Sequence, residues 1–404
     1  MKKILEIGLG VVTGIGGFLE AGSLATAAQA GAEFGYQLLW AIALGTLCVI
    51  VLVEMSGRLA AVSHHTVVDA VRERFGIHAF MVPLITVLLV SLITLGAELG
   101  GVCMALQLAT GIAFQWWAVP VVVVAWGLLW RGSFGLIEQG VSLLGLVTVS
   151  FLVAAIRQHP SAPAVAAALV PRLPDHEPAR YGFLAVSILG ASLTPYVFYF
   201  YSSGAIEDRW TRGHLWINRV VATMGMGFGG LLSAAVLVLA ALVFHPRGVR
   251  VDSYAQIGRL MTEALGDWGF PLFVLSLGIA CFGAALEISL TIAYMIAQGF
   301  GWNWGENVKP RDAARFSAVY TLALVLATAL VVIGVDPLRL TNISMALTAV
   351  TLPVAALPFL VLMNDRHYLG PHVNGRLANV VVVLVVVLAA IVAVVALPLQ
   401  LMGG

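Results

Sequence analysis

Two long apolar runs in this chain are interrupted near their middles, and each interruption carries polar groups. The first is Gly16-Gly17-Phe18-Leu19-Glu20-Ala21-Gly22-Ser23, and the second is Leu189-Gly190-Ala191-Ser192-Leu193-Thr194-Pro195-Tyr196. A helix in lipid satisfies its own backbone, because hydrocarbon offers no substitute partner. Unwound backbone at that depth is tolerated only where it is buried in protein or lines a cavity. Two such interruptions at corresponding places in two halves of a chain point to a transporter's binding site.

The rest of the sequence agrees with a membrane setting. Only 10% of the 404 residues are charged, against about 25% in an average soluble domain. A net charge of +1 argues against a nucleic-acid partner and leaves the lipid bilayer as the surrounding phase. Cys48, Cys103 and Cys281 lie in apolar runs without a CxxC spacing, so neither a disulfide framework nor structural zinc is expected. The start resembles a signal peptide, with Lys2, Lys3 and a run of small residues. The apolar run is too long and glycine-rich for one, and it contains Glu20.

A hydropathy window of about 19 residues places eleven spans at 5–34, 36–58, 80–109, 116–130, 136–156, 180–209, 217–244, 268–299, 313–333, 340–363 and 377–401. The stretch 160–178 reads as an irregular, proline-rich external loop, and 251–265 has helical spacing. Of the 21 Lys and Arg, fourteen fall on the side of the N-terminus and seven on the other. The excess sets that side as cytoplasmic and, with an odd number of spans, the C-terminus as external. A multi-pass protein of the inner membrane is expected.

Spans 1–5 and 6–10 match in kind. Each set opens on an interrupted helix and carries a lone acid in its third span, Glu98 and Glu287. Five spans per half force opposite orientations, which is an inverted repeat. The expected units are residues 1–156, an external loop at 157–179, a second repeat at 180–364, and an inner loop with span 11 at 365–404.

Glu20 is the most telling residue. A carboxylate near the bilayer centre costs at least ~2.5 kcal/mol. Beside unwound backbone its natural partner is a cation or a proton, although a helix-packing contact would also satisfy it. Ser23 and Thr194 either ligate or bond back to their own helices. Glu98 and Glu287 are candidates for a proton or coupling-ion relay, or for a polar lock between helices. Glu54 and Arg58 are spaced for an i, i+4 ion pair. Gly10-Val11-Val12-Thr13-Gly14 and Gly225-Met226-Gly227-Phe228-Gly229 suit close helix packing.

With these residues in view, the chain resembles the Nramp family of divalent-metal transporters, which have the LeuT-type fold. The resemblance covers nearly the whole chain and is most specific at Gln29-Ala30-Gly31-Ala32-Glu33-Phe34-Gly35-Tyr36-Gln37-Leu38-Leu39-Trp40. The family's DPGN motif falls on Glu20-Ala21-Gly22-Ser23, and its A-x-x-M-P-H motif on Ala191-Ser192-Leu193-Thr194-Pro195-Tyr196. Its span-3 A-E-x-x-G stretch falls on Ala97-Glu98-Leu99-Gly100-Gly101, and its span-10 Q-L-P on Thr351-Leu352-Pro353. The resemblance implies an all-α membrane protein with a 5+5 inverted repeat, an eleventh helix, and broken helices 1 and 6. It also implies a substrate site at Glu20, Gly22, Ser23, Ala191, Thr194 and Thr351, with the metal as cargo and no cofactor.

The departures bear on the cargo. The family's metal-binding Asp is Glu20 here, its Asn is Ser23, its Met is Thr194 and its span-10 Gln is Thr351. The proton-handling His is Tyr196, and the span-3 Asp is Leu95. Oxygen donors suit Mg²⁺ and Mn²⁺ better than softer metals, and Mg²⁺ keeps several waters when bound. This direction resembles the Nramp-related magnesium transporters, and loss of the His and Asp points to weak or absent proton coupling. The same losses fit a carrier of a cationic or zwitterionic organic solute. A channel and an intramembrane enzyme are disfavoured: the broken pair suits a carrier, and HExxH and GxSxG-with-His signatures are absent from the sequence. Transport direction and oligomeric state cannot be read from it.

Overall fold

The computed structural model describes residues 20–131, 145–174 and 176–401. Every regular element among them is helical. Gly16 to Leu19, the Gly10–Gly14 stretch, and the first part of the fifth span lie outside the described residues.

The first described helix, α1 (Ala21–Phe34), begins after Glu20, whose backbone is extended (φ −116°, ψ 176°). Its many alanines make α1 thin, so neighbours approach closely and gain van der Waals contact where lipid gives no hydrophobic drive. Gly31 is one such point, since a Cβ there would overlap the Leu237 carbonyl. Gly35, at φ +58°, ends the helix, a conformation that glycine adopts without a Cβ penalty.

α2 (Leu39–Ser63) and α3 (Val67–Thr110) follow. α3 starts where Thr66 Oγ1 accepts from Asp69 N at 3.1 Å, and it bends at Gly76, where φ is +80°. Its first turns, before the third apolar span, are helical where hydropathy alone marks no span. α4 (Phe114–Trp130) comes next. A 3₁₀ turn (Leu146–Thr148) then leads into α5 (Val149–Arg157). The proline-rich external loop is not wholly irregular, because Ala162–Ala167 forms the short helix α6. Pro163 sits in its first turn, where a missing N–H leaves nothing unsatisfied.

The sixth span divides into α7 (Pro178–Ser192) and α8 (Pro195–Glu207). The seventh is α9 (Leu215–Val221), a π turn (Ala222–Met226) and α10 (Gly227–Val243). The Gly225–Gly229 cluster therefore overlaps a local widening of the helix. Just beyond it Gly230 makes a tight crossing, where a Cβ would overlap the Thr46 side chain. α11 (Tyr254–Leu265) fulfils the helical spacing of 251–265 and buries Ile257, Leu260 and Met261. The remaining helices are α12 (Gly269–Phe300), α13 (Ala314–Val332), α14 (Pro337–Met363), the short α15 (Arg366–Leu369) and α16 (Arg376–Leu401).

Among the described residues, seven helical stretches are long and apolar enough to cross a membrane. Phe114–Trp130, Leu146–Arg157 and Arg376–Leu388 are shorter apolar helices. The outer faces suit lipid: Val119 and Val123 of α4 are exposed, and Trp116 and Trp268 project near helix ends, where aromatic rings suit the interface. Inside, α3 packs along α12 and α14, and α1 packs against α10 and α7. Glu54 and Arg58 pair at 3.1 Å as their spacing predicts. Arg58 is also buried and donates to Asn374 Oδ1 at 2.7 Å. It thereby ties α2 to the segment before α16, beyond the reach of an ordinary i, i+4 pair.

Candidate metal site

The second interruption survives in the fold in shorter form than the sequence suggests, and of the first the structure describes Glu20 onward. Ala21, Gly22 and Ser23 belong to α1, leaving Glu20 as the extended residue at its entrance. Ser23 follows from that position: its Oγ accepts from Glu20 N at 3.1 Å and donates to Glu20 O at 3.1 Å. A short hydroxyl three residues into the helix closes the first turn and covers an otherwise free N–H. In the second interruption only Leu193 and Thr194 lie between helices. Leu193 N reaches back to Gly190 O at 3.3 Å. The partner that a continuous helix would give the Ala191 carbonyl is the N–H of residue 195, which is proline. Ala191 O is therefore left without a helical donor, a direct consequence of one residue type.

The two interruptions meet through side chains. Tyr196, in the first turn of α8, donates its hydroxyl to Glu20 Oε2 at 2.6 Å. Glu98, midway along α3, accepts from Ala21 N at 3.2 Å through Oε2. An acid at a helix N-terminus is favoured by the helix dipole by about 0.3–1 kcal/mol. The Cys281 thiol of α12 lies near the Glu98 carboxylate. Glu20, Glu98 and Glu287 all act electrostatically on the Tyr196 hydroxyl.

Glu20 is 1% exposed and Glu98 is 0% exposed, so the carboxylates are sealed from water. Glu20 Oε1 and Glu98 Oε1 are buried without a hydrogen-bond partner. Neither acid pairs with a Lys, Arg or His among the described residues. No group of three or more His, Cys, Asp and Glu able to hold a metal occurs among the described residues.

The other expected residues occupy distinct places. Thr194 is buried at the entrance to α8. Thr351 is buried on α14, with its hydroxyl donating to Thr348 O at 3.0 Å. A hydroxyl that gives its proton to its own helix keeps lone pairs for another partner. Thr348 and Ser344 do the same, donating to Ser344 O at 2.8 Å and Thr341 O at 2.9 Å. Buried hydroxyls at 341, 344, 348 and 351 thus recur at helical spacing along α14, a signal visible in the sequence that singles out its inward face. Leu95 is fully buried and apolar.

Two sulfurs escape sequence reasoning. Cys281 Sγ lies where a Cβ on Gly101 would come within 2.6 Å. Met345 of α14 is fully buried, and a Cβ on Gly22 would overlap its Sδ. Both lie in apolar stretches of sequence, and only helix packing brings them to α1.

The chain as a whole has relatives among known proteins. The model of the family described as Natural resistance-associated macrophage protein-like (Nramp) matches residues 10–398. The chain belongs to the Nramp family. Among curated Nramp relatives, the divalent metal cation transporter MntH of Deinococcus radiodurans is 29% identical over 392 residues, covering 94% of this chain and 87% of that protein. MntH of Aeromonas hydrophila is 27% identical over 389 residues, covering 92% and 90%. These relatives are transporters, not enzymes. Among solved structures, the Eremococcus coleocola manganese transporter in complex with an aromatic bis-isothiourea substituted compound superposes with a TM-score of 0.79 at 20% identity, covering 96% of this chain and 85% of that one. Mhp1, a nucleobase-cation-symport-1 family transporter, gives 0.64 at 16% identity, covering 96% and 91%. At such identities the likeness concerns the fold alone, and that fold is the LeuT type expected of an Nramp protein.

Proposed function

We propose that this Nramp protein carries a divalent metal cation across the membrane by alternating access, with Glu20 supplying the charge. The observation that carries this reading is the pair of buried carboxylate oxygens, Glu20 Oε1 and Glu98 Oε1, that lack a donor. A buried charge without a partner is strongly unfavourable, and a cation seated beside Glu20 removes that penalty. Ser23, Thr194, Thr351 and the Ala191 carbonyl would add neutral oxygens, directly or through water, and Gly22 keeps α1 slim beside Glu20. The metal is cargo, not a cofactor.

Oxygen donors suit a hard or partly hydrated ion, so Mg²⁺ and Mn²⁺ are the first ions to test. The curated relatives named as divalent metal cation transporters support the metal class. Tyr196 supports weak proton coupling: a phenol does not exchange protons near neutral pH as an imidazole does. Glu98 and Glu287 are the remaining candidates for a relay.

Purified protein in liposomes tests the proposal. Wild type should take up Mn²⁺ or Mg²⁺ without acidifying the lumen, and Glu20→Gln should reduce uptake to the level of empty vesicles while remaining folded. Uptake of an amine or amino acid with no divalent flux would replace the metal reading with the organic-solute one. Clear proton co-transport would overturn the coupling statement and direct attention to Glu98 or Glu287.

A further inference from the structure

Away from the helix breaks, an open cavity lies where the start of α3 meets the end of α14. It measures about 530 Å³ and is lined by Arg74, Leu360, Val361, Asn364, Asp365 and Arg366. An apolar helix face leads into it. Ile343, Val350, Leu357 and Val361 recur along α14 at helical spacing, and all four are exposed. On α3, Phe75 and Ile77 flank the bend at Gly76 and are exposed as well. The cavity thus sits where two membrane helices leave lipid, with apolar side chains on one side and charge on the other. Arg74 and Arg366 belong to the membrane face that carries the excess of Lys and Arg.

The charges are arranged for an anion. Arg74 donates through Nε to Asp365 Oδ2 at 2.9 Å, and Asp365 Oδ1 accepts from His367 N at 2.9 Å. Each carboxylate oxygen already has a donor, and the pair holds the Arg74 guanidinium by one edge. Its two Nη groups make no hydrogen bond among the described residues. Arg366 has no side-chain hydrogen bond or ion pair among the described residues. A guanidinium fork matches two phosphate oxygens at once. We infer that this cavity binds the phosphate of an anionic phospholipid, with Arg74 and Arg366 on the phosphate and an acyl chain along Leu357 and Val361. Basic pockets between helix ends on a cytoplasmic face suit such headgroups. A free phosphate would leave the apolar track unused. A zwitterionic headgroup would bring a cation beside Arg366, while the cavity's one carboxylate is committed to Arg74. The site makes no contact with Glu20 or Thr194, so it stands or falls apart from the metal reading.

The test uses the full chain in detergent, with bound lipid counted by native mass spectrometry. Phosphatidylglycerol is the probe, and phosphatidylcholine and inorganic phosphate are the comparators. Wild type should retain phosphatidylglycerol in preference to phosphatidylcholine, and millimolar inorganic phosphate should not displace it. Arg366→Gln should cut retention about fivefold, equivalent to about 1 kcal/mol, and Arg74→Gln should do the same. Arg376→Gln, at an arginine of the same membrane face outside the cavity, should leave retention unaltered. Arg366 has no partner to lose, so its variant decides the matter even if breaking the Arg74–Asp365 pair unfolds the other. Equal retention of the two lipids by wild type, or undiminished retention in Arg366→Gln, would overturn the inference. So would an equal loss in Arg376→Gln, which would assign the lipid to general surface charge. Displacement by inorganic phosphate would assign the site to the free ion and overturn the lipid as occupant.

Discussion

The start of α1 and the gap between α7 and α8 are built by different chemistry. At α1 the chain enters a helix through an extended acid, and side chains claim the loosened groups: Ser23 Oγ takes Glu20 N, and Glu98 takes Ala21 N. Between α7 and α8 there is no charge, and the gap is opened by Pro195, which withholds a donor from Ala191 O. The first interruption therefore supplies negative charge and needs a second acid from α3 to hold it. The second supplies neutral oxygens and holds itself. Tyr196 joins them by donating to Glu20. The difference shows that a broken helix pair is not symmetric in cost: the charged break depends on distant partners, the proline break on local covalent structure.

The contrast is tested most severely at the glycines. Gly190→Ala drives a Cβ into the Met345 carbonyl, which is backbone and cannot swing away. Overpacking of that kind costs about 1–3 kcal/mol or more, so the detergent melting temperature should fall sharply. Gly22→Ala meets the movable Met345 side chain instead and should melt closer to wild type. An equal loss in both would mean that α14 is equally rigid at the two contacts.

Next in size is the acid that supports the charged break. Glu98→Gln turns a charge-assisted bond to Ala21 N into a neutral one, a loss of about 1 kcal/mol, read as a lower melting temperature. Glu287→Gln should shift melting less, since Glu287 is only partly buried whereas Glu98 is fully buried. A larger shift at Glu287 would reverse the assignment of the supporting acid.

Tyr196→Phe removes the link between the breaks. The ion-free protein loses a hydrogen bond to a carboxylate, worth about 1.5–3 kcal/mol, whereas under the proposed carrier reading a bound ion would take that oxygen. Melting of the ion-free protein should fall, and its rise on adding Mn²⁺ should exceed that of wild type. The smallest effect concerns coupling. Tyr196→His places a group that titrates near neutrality beside Glu20 and should add measurable lumen acidification during Mn²⁺ uptake. Unaltered lumen pH would show that position 196 alone does not set coupling.

Much of this was legible without coordinates. Hydropathy located the seven long apolar helices among the described residues, because a membrane helix must be apolar over a fixed length, and Leu189–Tyr196 stood out because lipid does not tolerate loose backbone. Helical spacing anticipated α11. The irregular reading of 160–178 missed α6, a helix too short to leave a periodic signal. Glu98 and Glu287 looked equivalent because each is one acid in a third span. They part in the fold, where Glu98 lies against the start of α1.

The sequence by itself determined the membrane setting, the family, the acid at the first break and the proline at the second, since these follow from residue type and local order. Only the tertiary structure decided which acid braces α1, that Tyr196 spans the two breaks, and that sulfur from Met345 reaches Gly22. Those contacts join residues between 77 and 323 positions apart. They depend on which faces of packed helices meet, and that is a property of the assembled bundle, absent from any single stretch of chain.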